Sequence, residues 1–178
     1  MELQTLYQKA ITFAGEKHQD QKVPGTNSSY LVHLSNVAME AMIAAKYTDG
    51  FDLEFAVQVA LLHDVLEDTS ATFGELQARF GLKIADAVLA LSKNEALESD
   101  TQILDSLERI TLQSKEVWAV KLADRISNMQ KPPEHWDQYK IIAYQKMARV
   151  ILSTLKGGNA YLEQRLEEKI FYYNQYFK

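Results

Sequence analysis

Apolar residues recur every three or four positions along almost the whole chain, the period of amphipathic helices. Leu3, Leu6, Tyr7, Ala10, Phe13 and Ala14 form one face of a first helix that runs to about Gln19. A loop rich in turn-formers, Asp20 to Ser29 with Pro24-Gly25 inside it, ends that helix. A second helix begins near Tyr30, continues through Val37, Met39 and Ile43 to about Tyr47, and is broken by Asp49-Gly50. Asp52 is the expected cap of a third, running through Leu66. Thr72-Phe73-Gly74-Glu75 has the form of a capping box and opens a short helix that Gly81 closes. Another helix is expected from about Lys83 to Leu91, followed by a mobile polar connector over residues 93–100. Four more are expected at 101–113, 115–129, 137–155 and 159–175, with Pro132-Pro133 and Gly157-Gly158 punctuating the last two. No segment alternates at period two for long enough to require a strand. The pattern predicts one all-α domain over residues 1–178.

Composition agrees. Seven glycines and three prolines in 178 residues are too few for a turn-dense sandwich or barrel. The net charge of −5 argues against a general nucleic-acid binder, which needs a basic surface to displace counterions from phosphates. A local basic pocket for a small anion stays possible. With no cysteine, disulfides, thiolate zinc sites, iron–sulfur clusters and a cysteine nucleophile are all excluded. Met1 to Asp20 lacks the apolar core of a signal peptide, and no apolar run approaches the roughly 20 residues of a membrane span. The expectation is a soluble, cytoplasmic protein.

The candidate chemistry sits in three places. In Ala60-Leu61-Leu62-His63-Asp64-Val65-Leu66-Glu67-Asp68, residues four apart share a helix face, which pairs His63 with Glu67 and Asp64 with Asp68. Carboxylates at the end of so apolar a segment are rarely buried unless paired or bound to metal. Asp124 and Asn128 are again four apart and follow an apolar stretch, so they can enter one site together. His33 opens the second helix. Two histidines and two aspartates from three helices would hold a divalent ion with positions left for water and substrate. Taken singly, each has a plainer reading: His33 as a hydrogen-bonded helix-start residue, Asp124-Arg125 as a surface ion pair. His18 reads as packing or hydrogen bonding near the loop, and His135 as an exposed loop residue.

The ordered set resembles the HD superfamily of metal-dependent phosphohydrolases, and within it the RelA/SpoT-type hydrolase domain and the small alarmone hydrolases. The resemblance is carried by Phe13-Ala14 and His18 to Lys22, Tyr30-Leu31-Val32-His33, Ala60 to Thr69, Phe80-Gly81, Lys121 to Met129, and Tyr144 with Ala148. It spans roughly residues 10 to 150. It implies that His33, His63, Asp64 and Asp124 are metal ligands, for one Mn²⁺ per chain, and that Glu67 and Asp68 work on the attacking water. Lys22, Asn128 and Tyr144 match positions that line the substrate pocket. The implied activity is removal of the 3′-pyrophosphate from an alarmone nucleotide, (p)ppGpp or (p)ppApp, with neither nucleic acid nor membrane as partner. Val23, Ser29, Ser35 and Met147 depart from the family pattern, and the base-reading loop is where two of them fall. A 5′-nucleotidase of the same superfamily, or a non-catalytic nucleotide-binding regulatory module, are the alternatives. The oligomeric state is left open.

Overall fold

The structure is a computed structural model that describes residues 2–177, with residues 99 and 100 as backbone only. Ten α-helices follow one another among the described residues: α1 (Leu3–Lys17), α2 (Leu31–Ala45), α3 (Leu53–Leu62), α4 (Val65–Asp68), α5 (Phe73–Phe80), α6 (Leu82–Leu91), α7 (Ser99–Thr111), α8 (Lys115–Asn128), α9 (Gln138–Thr154) and α10 (Ala160–Tyr173). A 3₁₀ turn, Asn174–Tyr176, closes the series, and the only β pairing among the described residues is an isolated bridge between Lys22 and Ser29. The all-α expectation therefore holds. No helix of the described residues is long and apolar enough to cross a membrane.

Helix α3 is the axis of the fold. Every residue from Phe55 to Leu62 is buried, as a helix without a polar face requires. Helices α1, α2, α6 and α8 pack around it. Ala38, Ala41 and Ala44 of α2 and Ala56 and Ala60 of α3 are fully buried, and their small side chains suit close packing of the two helices. The expected caps are in place: the Asp52 carboxylate accepts from the Phe55 amide at 3.0 Å and the Thr72 hydroxyl from the Glu75 amide at 3.2 Å. Gly81, at φ +88°, lets α5 turn into α6 with no intervening loop.

One expectation fails. The third helix does not run through Leu66 but stops at Leu62, and His63 and Asp64 form a turn before the single-turn α4. The cause is local. The His63 imidazole Nδ1 bonds the Ala60 carbonyl at 2.7 Å, the acceptor that the Asp64 amide would take if the helix continued. The side chain thus stands in for a backbone donor, and the helix breaks at His63 and Asp64. The connector expected over 93–100 is irregular only through Glu98, since α7 begins at Ser99, and Lys93 is anchored at its start.

Candidate metal centre

Three elements converge. His33 comes from the first turn of α2, His63 and Asp64 from the turn between α3 and α4, and Asp124 from the last turns of α8. The two imidazoles face each other, Nε2 to Nε2 at 3.3 Å. Asp64 Oδ2 lies 3.0 Å from His63 Nε2 and 3.6 Å from His33 Nε2. Asp124 Oδ1 lies 3.5 Å from His33 Nε2 and 3.7 Å from His63 Nε2. Ligand atoms of His33, His63 and Asp64 all lie within 4.8 Å of one another, with Asp124 closing the far side. The i,i+4 pairing expected for His63 with Glu67 and Asp64 with Asp68 does not form this centre, because the helix break turns the adjacent His63 and Asp64 to the same point.

Each group is aimed by a second partner. His33 Nδ1 is 3.1 Å from the Ser127 hydroxyl, while His63 Nδ1 donates to Ala60, which turns its Nε2 toward the site. The Tyr30 hydroxyl donates to Asp64 Oδ2 at 2.5 Å. Asp124 accepts from Asn128 Nδ2 at 2.6 Å and from Lys121 Nζ at 2.9 Å, one bond on each oxygen.

The electrostatics ask for positive charge. Burial alone would push the His63 imidazole down, but the Asp64 and Asp124 carboxylates beside it override burial and lift it to about 10. His33 moves up for the same reason, against its burial. Burial would raise Asp124, yet Lys121 and the two histidines hold it well below the usual carboxylate range; Asp64 is likewise held down, against burial, by His63 and His33. Two imidazole nitrogens and two carboxylates at this spacing are either protonated or hold a cation. Nitrogen and oxygen donors of this kind fit a divalent metal ion.

The acidic pair stands at the edge of the cluster. Each oxygen of Glu67 has one contact with Lys93 and keeps a further lone pair: the Lys93 amide donates to one at 2.9 Å, and the Lys93 ammonium ion-pairs with the other. Asp68 accepts from Gln21 Nε2 at 2.8 Å. Partial loss of solvent, then the charges of Asp64 and Glu67, push the Asp68 carboxyl up, and the Gln21 bond pulls the other way. Beside Glu67 lies an open cavity of about 470 Å³ lined by Leu66, Ser92, Lys93, Asn94 and Arg109 among others.

Of the three expected substrate residues, Asn128 sits on the centre through Asp124. Tyr144, on α9, joins an aromatic group: Trp136 meets it edge-on at 5.1 Å and Tyr173 lies 6.1 Å away. Arg125 is not half of a surface ion pair. It is 8% exposed, its guanidinium lies 4.3 Å from the Tyr144 ring centre, and its Nε and Nη1 have no hydrogen-bond partner. Lys22 is exposed on the loop bridge to Ser29 and is not among the side chains that touch the cluster. Sequence reasoning missed Tyr30, Lys93, Lys121 and Ser127. The three-residue spacing of Lys121 and Asp124 on α8 carried a signal, whereas Tyr30 and Lys93 reach the site through tertiary contacts alone.

Residues 10–151 match the HD domain family. The chain is 30% identical over 165 residues to guanosine-3′,5′-bis(diphosphate) 3′-pyrophosphohydrolase MESH1 of Danio rerio, covering 90% of this chain and 89% of that one. The human MESH1 is 29% identical, with 89% of each chain covered. A guanosine-3′,5′-bis(diphosphate) 3′-pyrophosphohydrolase of Aquifex aeolicus is 34% identical over 125 residues, 68% of this chain but 17% of that longer protein. Among solved structures, a metazoan ortholog of SpoT described as hydrolysing ppGpp superposes with a TM-score of 0.83 at 28% identity, covering 94% of both chains.

Proposed function

The chain belongs to the HD domain family, and from that premise we propose that it is a metal-dependent hydrolase that removes the 3′-pyrophosphate of ppGpp or ppApp. The observation that carries this reading is the meeting of His33, His63, Asp64 and Asp124 in one buried cluster with Glu67 and Asp68 at its rim, in a chain similar over most of its length to guanosine-3′,5′-bis(diphosphate) 3′-pyrophosphohydrolases. Residues 1–178 act as one HD unit.

The four cluster residues would hold one Mn²⁺, which would lower the pKa of water and offset polyphosphate charge. Tyr30, Lys121, Asn128 and Ser127 fix the ligand side chains in place. Glu67 accepts the proton of the attacking water, which bonds the phosphorus attached to the ribose 3′ oxygen. The bond from that phosphorus to the 3′ oxygen breaks, and Asp68 delivers a proton to the departing oxygen, giving a 3′-hydroxyl and pyrophosphate. Partial desolvation and the neighbouring acids push Asp68 up, the direction a proton donor needs. Lys22 and Tyr144 meet the nucleotide, Tyr144 held from beneath by Arg125.

The test incubates metal-stripped protein, with and without Mn²⁺, with ppGpp, ppApp and a nucleoside 5′-monophosphate, and resolves products by anion exchange. Pyrophosphate released from a tetraphosphate only with Mn²⁺, and lost in Asp64→Ala, is the expected result and names the base. Orthophosphate from the monophosphate alone moves the assignment to a nucleotidase, and binding without turnover leaves a regulatory module.

A further inference from the structure

His18 belongs to neither the ligand set nor the acidic pair, yet it is 2% exposed and wired to both. It ends α1, and its ring stacks on Tyr30 with centroids 4.9 Å apart. Its Nδ1 lies 2.5 Å from Gln21 Oε1, and Gln21 Nε2 donates to Asp68 Oδ2 at 2.8 Å. Chemistry fixes the direction of this chain. Asp68 Oδ2 accepts whether the carboxyl is ionised or carries its proton on the other oxygen, so Gln21 turns its NH₂ to Asp68 and its carbonyl to His18. His18 must then donate, which places the proton of the neutral ring on Nδ1. The other nitrogen, Nε2, is buried without a partner, as an unprotonated nitrogen can be at least cost. Burial holds the imidazole below its ordinary pKa and so keeps it neutral.

The relay ends on one oxygen only. Among the described residues the other oxygen of Asp68 has no protein hydrogen bond, and Asp68 is exposed. A carboxyl pinned by one oxygen, with the second left free, is held in one rotamer and still able to pass a proton.

We propose that His18 and Gln21 are positioning residues for Asp68: the imidazole Nδ1–H fixes the Gln21 amide, and the amide fixes the Asp68 carboxyl for proton transfer. This rests on the role given to Asp68 above, and its test separates the two. Neither residue touches substrate or metal; both act through Asp68.

The experiment compares the wild type with Gln21→Met, His18→Phe and His18→Asn, measuring kcat, KM and Mn²⁺ affinity for each. Methionine keeps the length of Gln21 without its hydrogen bonds, and phenylalanine keeps the stack on Tyr30 without a donor. Both lower kcat about 10- to 100-fold, the usual cost of removing an orienting hydrogen-bond partner, with KM and metal affinity little changed. Asparagine presents an amide N–H where Nδ1 stood and restores most of kcat. The double variant His18→Phe/Gln21→Met is no slower than Gln21→Met alone, as members of one relay require. Wild-type kcat in Gln21→Met, or losses confined to KM or metal binding, overturns the proposal.

A second readout needs no turnover. Nitrogen-15 NMR of the metal-free protein shows the His18 proton on Nδ1 in the wild type and redistributed toward Nε2 in Gln21→Met. A wild-type ring protonated on Nε2 overturns the relay even if no alarmone is hydrolysed. If the expected tautomer is found in a protein that hydrolyses neither tetraphosphate, the activity assigned to the site fails while the hydrogen-bond chain stands, and the positioning role falls with that activity.

Discussion

The Tyr30 hydroxyl donates to Oδ2 of Asp64 at 2.5 Å, and that same oxygen faces both imidazoles of the cluster. One ring from the first turn of the α2 region therefore sets the rotamer of a carboxylate 34 residues later. Burial and the Asp64 charge both push the Tyr30 phenol up, so it remains a donor throughout the working pH range. Tyr30→Phe keeps the stack on His18 and removes only the hydrogen bond. It weakens metal binding about 10-fold or more, the usual effect of losing a partner that orients a ligand. Thermal stability of the metal-free protein changes by only about 1 kcal/mol. Metal titration and a melting curve on the same sample check the two halves. An unchanged affinity would show that Asp64 is oriented by the histidines alone.

Proton and metal compete for one place. In the metal-free protein His63 stands at about 10 against an ordinary 6.5, so it is protonated at neutral pH. Binding a divalent ion must displace that proton, so affinity rises with pH from neutrality toward 10, and calorimetry in two buffers of different ionisation enthalpy reads the release. The same shift fixes the sign of a stability change. A pKa raised in the folded state adds stability that is fully present below 6.5 and is lost as pH climbs through about 10. The depressed Asp64 and Asp124 add stability that is present above 3.8 and lost as pH falls below it. The melting temperature of the metal-free protein is expected to drop between neutrality and pH ~10 while that of the loaded protein holds. A flat profile without metal would contradict this account.

Much of this was legible in the sequence, for identifiable reasons. Helix boundaries followed from side chains that act locally: Asp52 and Thr72 accept the amides their positions predict, and Gly81 takes the positive φ that only glycine adopts freely. The four cluster residues were legible because their types and order are specific. What stayed hidden was how they meet. Helical periodicity put His63 above Glu67, and a single side-chain bond to Ala60 undid it. Lys93, Tyr30 and the Gln21–Asp68 contact join residues 26 to 47 positions apart, and no periodic pattern reports such pairings. Arg125 looked like a surface charge because its neighbour Asp124 offered a sign-matched partner; successive residues on a helix point about 100° apart, and the structure sends it under Tyr144 instead.

The role proposed for Glu67 is distinguished from that of the proposed ligands by what its loss leaves intact. Glu67→Gln keeps the shape and the bond from the Lys93 amide but cannot take a proton. It lowers kcat by about 10²- to 10⁴-fold, the range for a general base, with metal affinity near that of the wild type. Asp64→Asn, by contrast, loses metal affinity together with turnover. Parallel metal titrations and rate measurements separate the pair; equal losses of metal in both variants would place Glu67 among the ligands.

An ion-pair clamp docks α10 on α2. Glu40 is 2% exposed, and both its oxygens accept from Arg165 Nε at 2.7 Å. Arg165 keeps 36% of its side chain in solvent. The pair is therefore asymmetric. Removing Arg165 strands a carboxylate with no water to replace the lost partner, whereas removing Glu40 leaves a guanidinium that can turn outward. Arg165→Leu is expected to cost about 3 kcal/mol, the lower end for breaking a buried ion pair. Glu40→Leu puts an apolar side chain in an apolar place and costs about 1 kcal/mol or less, since buried ion pairs replaced by well-packed apolar groups are often near neutral. Urea denaturation of both variants and of the double variant decides it. The double variant should recover most of what Arg165→Leu loses, because the stranded charge is gone. If instead Glu40→Leu proves the more damaging, the stabilisation resides in the Glu40 hydrogen bonds rather than in the avoidance of an unpaired buried charge.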